Sequence, residues 1–90
     1  MINQTCGAVS DAGPLVLVAE DDESAASAVM LMLARDGISC VRAVNGSDAL
    51  EHFARLRPDV VILDVMMPVL DGFQVCERIR QQDEAVPVLF

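Results

Sequence analysis

Apolar positions along this chain fall into short continuous runs separated by longer stretches in which they recur at helical intervals. "LVLVAE", residues 15–20, follows Gly13 and Pro14 and ends in acid, which suits a strand buried on both faces. Beyond it Ala26, Val29, Met30 and Leu33 recur at helical spacing, with Asp22 placed to cap that helix and Gly37 to end it in a left-handed conformation. "SCVRAV", residues 39–44, alternates weakly and predicts a second strand. In "NGSDALEHFARLR", Ala49, Leu50, Phe53 and Leu56 mark one helical face, and Pro58 ends the helix. "DVVIL" is apolar on both sides, as a central parallel strand should be. "DGFQVCERIRQQ" predicts a third helix with Phe73, Cys76 and Ile79 on one face, and "VPVLF" starts a fourth strand.

Strand and helix alternating through short connections predict an α/β fold: a doubly wound parallel sheet with right-handed crossovers and helices on both faces. Ligand sites in such sheets form beyond the carboxyl ends of the strands. Ninety residues fit one small domain, and a chain of that size buries only ~60% of the surface its unfolded form exposes. The expected organisation is a flexible tail over residues 1–14 and a folded unit over residues 15–90. "MINQTCGAVSDAGP" has no basic region followed by an apolar core, so it does not read as a secretory signal.

Composition narrows the function classes. A hydrophobic fraction of 53% argues against disorder, and the apolar runs are too short and interrupted to span a bilayer. Fourteen acidic residues against six basic ones give a formal charge of -8, which repels a phosphate backbone and speaks against direct nucleic-acid binding. Cys6, Cys40 and Cys76 are odd in number, far apart and without a CxxC pair. They read as small hydrophobes in a reducing cytoplasm, with neither a disulfide framework nor a zinc site suggested. His52, beside Phe53, reads as a surface histidine.

The candidate chemistry is acidic. Glu20 and Asp21 stand at the carboxyl end of the first predicted strand and Asp64 at the same end of the third. If those strands are neighbours, roughly 4.8 Å apart, three carboxylates converge on one cleft. Like charges at that range hold a proton or a cation, and Mg²⁺ (or Mn²⁺), a hard ion that takes oxygen ligands, suits them.

"VLVAEDD", followed after a helix-strand-helix interval by "VVILDVMMPVLDG", resembles the receiver domain of two-component response regulators over residues 15–90. The resemblance implies a flavodoxin-like fold, here in the order strand, helix, strand, helix, strand, helix, strand. It implies Asp64 as phosphoacceptor, Asp21 as a direct metal ligand, Glu20 as a ligand through water, and the backbone carbonyl of Met66 as a further contact. Met67, Pro68, Asp71 and Gly72 match the rest of the motif, while Asp22 falls one place past the acidic pair and reads as a helix cap. The implied partner is a sensor histidine kinase or phosphotransfer protein, and the module accepts a phosphoryl group without being a turnover enzyme. A phosphatase reading, with a strand-end aspartate as nucleophile, needs an acid two residues later, where Met66 stands.

Set against the family, the sequence through Phe90 reads as a receiver truncated at the start of its fourth strand. The family's Ser/Thr and Lys have no counterpart, so phosphotransfer and switching are expected to be impaired. Self-association through the exposed fourth strand follows, with Val86, Val88, Leu89 and Phe90 expected to present apolar surface. The alternative is a non-signalling interaction module that competes for the kinase or pairs with intact receivers.

Overall fold

The computed structural model describes residues 14–90 and, as backbone alone, the short strand Thr5–Cys6. Its elements run β1 (Thr5–Cys6), β2 (Leu15–Ala19), α1 (Glu23–Arg35), β3 (Ser39–Ala43), α2 (Gly46–Leu56), β4 (Val60–Leu63), α3 (Gly72–Gln82) and β5 (Val88–Leu89). The sheet order is β1-β3-β2-β4-β5. Its four later strands are parallel, and β1 adds an antiparallel edge with Thr5 opposite Val41 and Cys6 opposite Cys40. The remainder of the expected tail lies outside the described residues.

Helix ends follow their cap chemistry. The Asp22 carboxylate accepts from the Ala25 N–H at 2.8 Å, satisfying an amide that the first turn leaves unpaired. Asn45 does the same for Asp48 at the start of α2. Asp71 and Gln74 form a reciprocal capping box at the start of α3. Gly37 takes a positive φ of 73° after α1, as expected of a glycine there. Arg57 ends α2 in the left-handed region just before Pro58.

The strand pleat sorts the core into two layers. Leu17, Ala19, Val61 and Leu63 face α2 and α3, where Phe53, Val75 and Ile79 close the larger cluster. Val16, Val18 and Cys40 face α1, packed by Val29, Met30 and Leu33. Helices therefore cover both faces, and the central strands are apolar on both sides because each side meets a helix. Phe53 is fully buried, a contribution of about 1.5–3 kcal/mol from its side chain.

Three expectations are corrected. On α3 the buried positions are Gly72, Val75 and Ile79, while Phe73 is exposed. Val86 is also buried, as part of the larger cluster, so the apolar surface near β5 comes from Leu89 and Phe90. Cys40 is disulfide-bonded, whereas Cys76 is free and partly exposed. Among the described residues no helix is long and apolar enough to cross a membrane.

Candidate metal and phosphoacceptor site

Adjacent parallel strands bring the acids together. In the β2–β4 ladder Ala19 pairs with Leu63, so the next residue on each strand, Glu20 and Asp64, emerges at the same sheet edge. The Asp64 N–H donates to the Ala19 carbonyl at 2.9 Å, and the Glu20 N–H to the Ala43 carbonyl at 3.1 Å, which extends the ladder to the site itself. Carboxylate oxygens of Glu20, Asp21 and Asp64 all lie within 4.8 Å of one another. Glu20 and Asp64 are half-buried, and Asp21 is exposed. Asp22 is held away from this cluster by its capping bond.

The electrostatics follow from that crowding. Burial raises the Glu20 carboxyl above its ordinary value; the Asp22 N–H, donating to it at 3.2 Å, partly offsets this. Hydrogen bonding to Asp64, repulsion by the Asp64 charge and hydrogen bonding to Asp21 raise it further. A site whose carboxylates compete for a proton releases that strain to a cation. Three oxygen donors at this spacing, one exposed, fit a hard divalent ion that retains water.

The loop after β4 frames the opening. Asp64 Oδ1 accepts the Met66 N–H at 3.2 Å, and the Met66 side chain is exposed, so this residue meets the site through its backbone. Met67 turns inward to the core. The Leu70 N–H donates to the Pro68 carbonyl at 2.8 Å across Val69, whose φ of 70° makes this a tight three-residue turn in a region costly for a β-branched residue. Gly72 seats α3 against the site: a Cβ there would lie 2.5 Å from the Asp64 carbonyl oxygen and 3.0 Å from Val65 Cα. Beside the acids, on the α1 side of the sheet, an open cavity of 230 Å³ is lined by Val18, Val29, Ile62 and Phe90 among others.

The structure thus gathers Glu20, Asp21 and Asp64 and places Met66, Pro68 and Gly72 in the loop beside them. His52 stands apart on α2, with Nε2 3.3 Å from Asp48 and Nδ1 accepting from Arg55 at 2.6 Å. Sequence reasoning missed Arg42. Its guanidinium donates to the Glu20 carbonyl from Nε at 3.2 Å and Nη2 at 3.1 Å, and to the Asp21 carbonyl from Nη2 at 3.1 Å. The available signal was a charge inside an otherwise uncharged strand, one residue before its end.

Comparison with known proteins gives a consistent pattern. Residues 16–90 match the family model described as the response regulator receiver domain. The chain is 42% identical over 76 residues to the transcriptional regulatory protein AfsQ1 of Streptomyces coelicolor, covering 84% of this chain and 33% of that protein. To the alkaline phosphatase synthesis transcriptional regulatory protein PhoP of Bacillus subtilis it is 39% identical, covering 82% of this chain and 31% of that protein. The chain therefore spans about a third of the length of these curated relatives. Among solved structures it is similar to the chemotaxis protein CheY4 of Vibrio cholerae, with a TM-score of 0.82, 33% identity and coverage of 86% of this chain and 66% of that one. It is also similar to the receiver domain of sensor histidine kinase PA1611 from Pseudomonas aeruginosa, solved with a magnesium ion coordinated in its active site cleft. The TM-score there is 0.81, at 30% identity, over 86% of this chain and 65% of that one.

Proposed function

Because the chain belongs to the response regulator receiver domain family, we propose that it accepts a phosphoryl group on Asp64 from a sensor histidine kinase or phosphotransfer protein in the cytoplasm. The observation that carries this reading is the convergence of the Glu20, Asp21 and Asp64 carboxylates at the carboxyl ends of two neighbouring strands.

In the proposed transfer an Asp64 carboxylate oxygen attacks the phosphorus of a phosphohistidine. The new O–P bond forms as the P–N bond breaks, and the bonding electrons leave with the imidazole nitrogen, which is then protonated. The product is an acyl phosphate on Asp64. Glu20, Asp21, Asp64 and the Met66 carbonyl would hold Mg²⁺, which supplies positive charge against the phosphoryl oxygens. The protein's own contribution is positional: the ladder bonds of Glu20 and Asp64 fix both strand ends, and the Met66 N–H holds Asp64 Oδ1. Asp21, the exposed member, remains open to solvent exchange.

This chemistry makes the module a single-turnover acceptor. An acid suited to assisting hydrolysis is missing two residues after Asp64, where the side chain of Met66 points into solvent. The test is intact-mass analysis after incubation with acetyl phosphate, with and without Mg²⁺. One added phosphoryl group that requires both Mg²⁺ and Asp64 is the expected result; equal labelling of an Asp64→Asn variant would refute the assignment.

A further inference from the structure

We propose that Arg42 is a positioning residue that sets the cleft's affinity for Mg²⁺ by clamping the backbone of the acid-bearing β2–α1 turn; this rests on the metal site proposed above. Arg42 lies one residue before the end of β3, paired with Val18 of β2, on the face of the sheet that packs against α1. From there its half-buried side chain reaches past the end of β2 to the carbonyl oxygens of Glu20 and Asp21.

The choice of partners is informative. In a chain of formal charge -8, a guanidinium that reaches the backbone of two acidic residues would be expected to pair with one of their carboxylates. Instead its bonds go to two successive peptide carbonyls, and among the described residues no carboxylate lies within ion-pair distance of it. Anchoring both carbonyls fixes the orientation of the peptide planes on which Glu20 and Asp21 are mounted. Together with the Glu20 N–H bond to Ala43, this ties the turn to β3 from both its donor and its acceptor groups. The planar fork suits the task, since two carbonyls are bridged by donors in fixed relation, which a lysine ammonium on a flexible stem does not reproduce.

Two effects of Arg42 on a bound cation oppose each other. As a charge it repels Mg²⁺; as a clamp it removes the cost of ordering the ligands at the moment of binding. The half-exposed guanidinium is screened by solvent, which weakens the first effect, whereas the hydrogen bonds act on the ligand-bearing residues directly. The clamp should therefore win, and the sign of the mutational effect separates the two.

The experiment measures Mg²⁺ affinity by calorimetry for the unaltered chain, Arg42→Ala, Arg42→Lys and Asp64→Asn, alongside amide hydrogen exchange without metal. Arg42→Ala should bind Mg²⁺ about tenfold more weakly, with Arg42→Lys intermediate. Exchange should accelerate at Asp22 to Ala25 while α2 and α3 stay protected, which shows that the fold persists and that loosening is confined to the turn. Unchanged or tighter Mg²⁺ binding by Arg42→Ala would overturn the inference, as would equal loosening of the whole chain by both Arg42 variants. If Asp64→Asn binds Mg²⁺ as well as the unaltered chain, the metal site itself is wrong, a failure distinct from that of the clamp.

Discussion

At the scale of single residues, the cleft resolves its charge crowding through Glu20. This is the residue whose carboxyl is raised, by burial first and by its acidic neighbours after that. A raised value in the folded state means that, above the ordinary glutamate value of 4.5, the folded chain holds a proton the unfolded chain has released. Stability from this group is then fully present below the unfolded value and declines as pH rises through the folded one. Gln cannot ionise, so metal-free Glu20→Gln should be more stable than the unaltered chain near neutrality, the difference vanishing in acid. Mg²⁺ should reverse the order, because a cation makes the ionised carboxylate favourable and Gln supplies a weaker ligand. Denaturation curves across this pH range, with chelator and with Mg²⁺, provide the check; a variant no more stable than the parent in chelator would show that the proton is held elsewhere.

At the scale of elements, the loop from β4 into α3 carries the tightest constraint. Val69 accepts an unfavourable φ and Gly72 a close backbone approach, so the chain returns across the Asp64 peptide within a few residues. Gly72→Ala sets a methyl group 2.5 Å from the Asp64 carbonyl oxygen. Backbone cannot move aside as a flexible side chain can, and overpacking of this kind costs about 1–3 kcal/mol. The expected outcome is a lower melting temperature together with weakened Mg²⁺ binding, since relief requires Asp64 itself to shift; a variant matching the parent in both would show that the loop yields freely. This approach also explains why one helical face was misread. Positions 73, 76 and 79 and positions 72, 75 and 79 are both compatible with a helical stripe, and the bulk of Phe73 favours the first. Seating Gly72 against Asp64 and Val65 rotates Val75 into the core and leaves Phe73 outside, a contact between distant elements that local periodicity does not encode. By contrast, α1, α2 and the three longer parallel strands were legible because caps, Pro58, Gly37 and both-sided apolar runs are local signals. The acidic triad was legible through strand adjacency, while the Arg42 clamp required knowing that β3 lies beside β2 and that its side chain reaches carbonyls.

At the scale of the whole molecule, the two edges of the sheet differ. On one side the antiparallel β1 covers part of β3. On the other, β5 is outermost, and among the described residues no strand pairs with its far side. Leu89 and Phe90 are each more than half exposed, at 55% and 58%, and the Phe90 ring meets the exposed Phe73 ring at a centroid distance of 5.0 Å. An unpaired edge flanked by apolar side chains is a template for another strand. Pro87 contributes no N–H, but its carbonyl already accepts from Val61 on the β4 side, so it leaves the outward-facing N–H and C=O of Val88 untouched. Prepared as residues 1–90 alone, with nothing else to cover this edge, the polypeptide should therefore self-associate through β5, most simply as a two-fold dimer in which the same edge serves both copies. Light scattering across a concentration series should show mass rising toward that of a dimer, and Leu89→Lys should lower it by placing like charges across the two-fold axis while leaving the buried Val86 and the rest of the core intact. A folded parent chain that stays monomeric at the highest concentration would eliminate this edge as an interface; association undiminished by Leu89→Lys would move it to another surface.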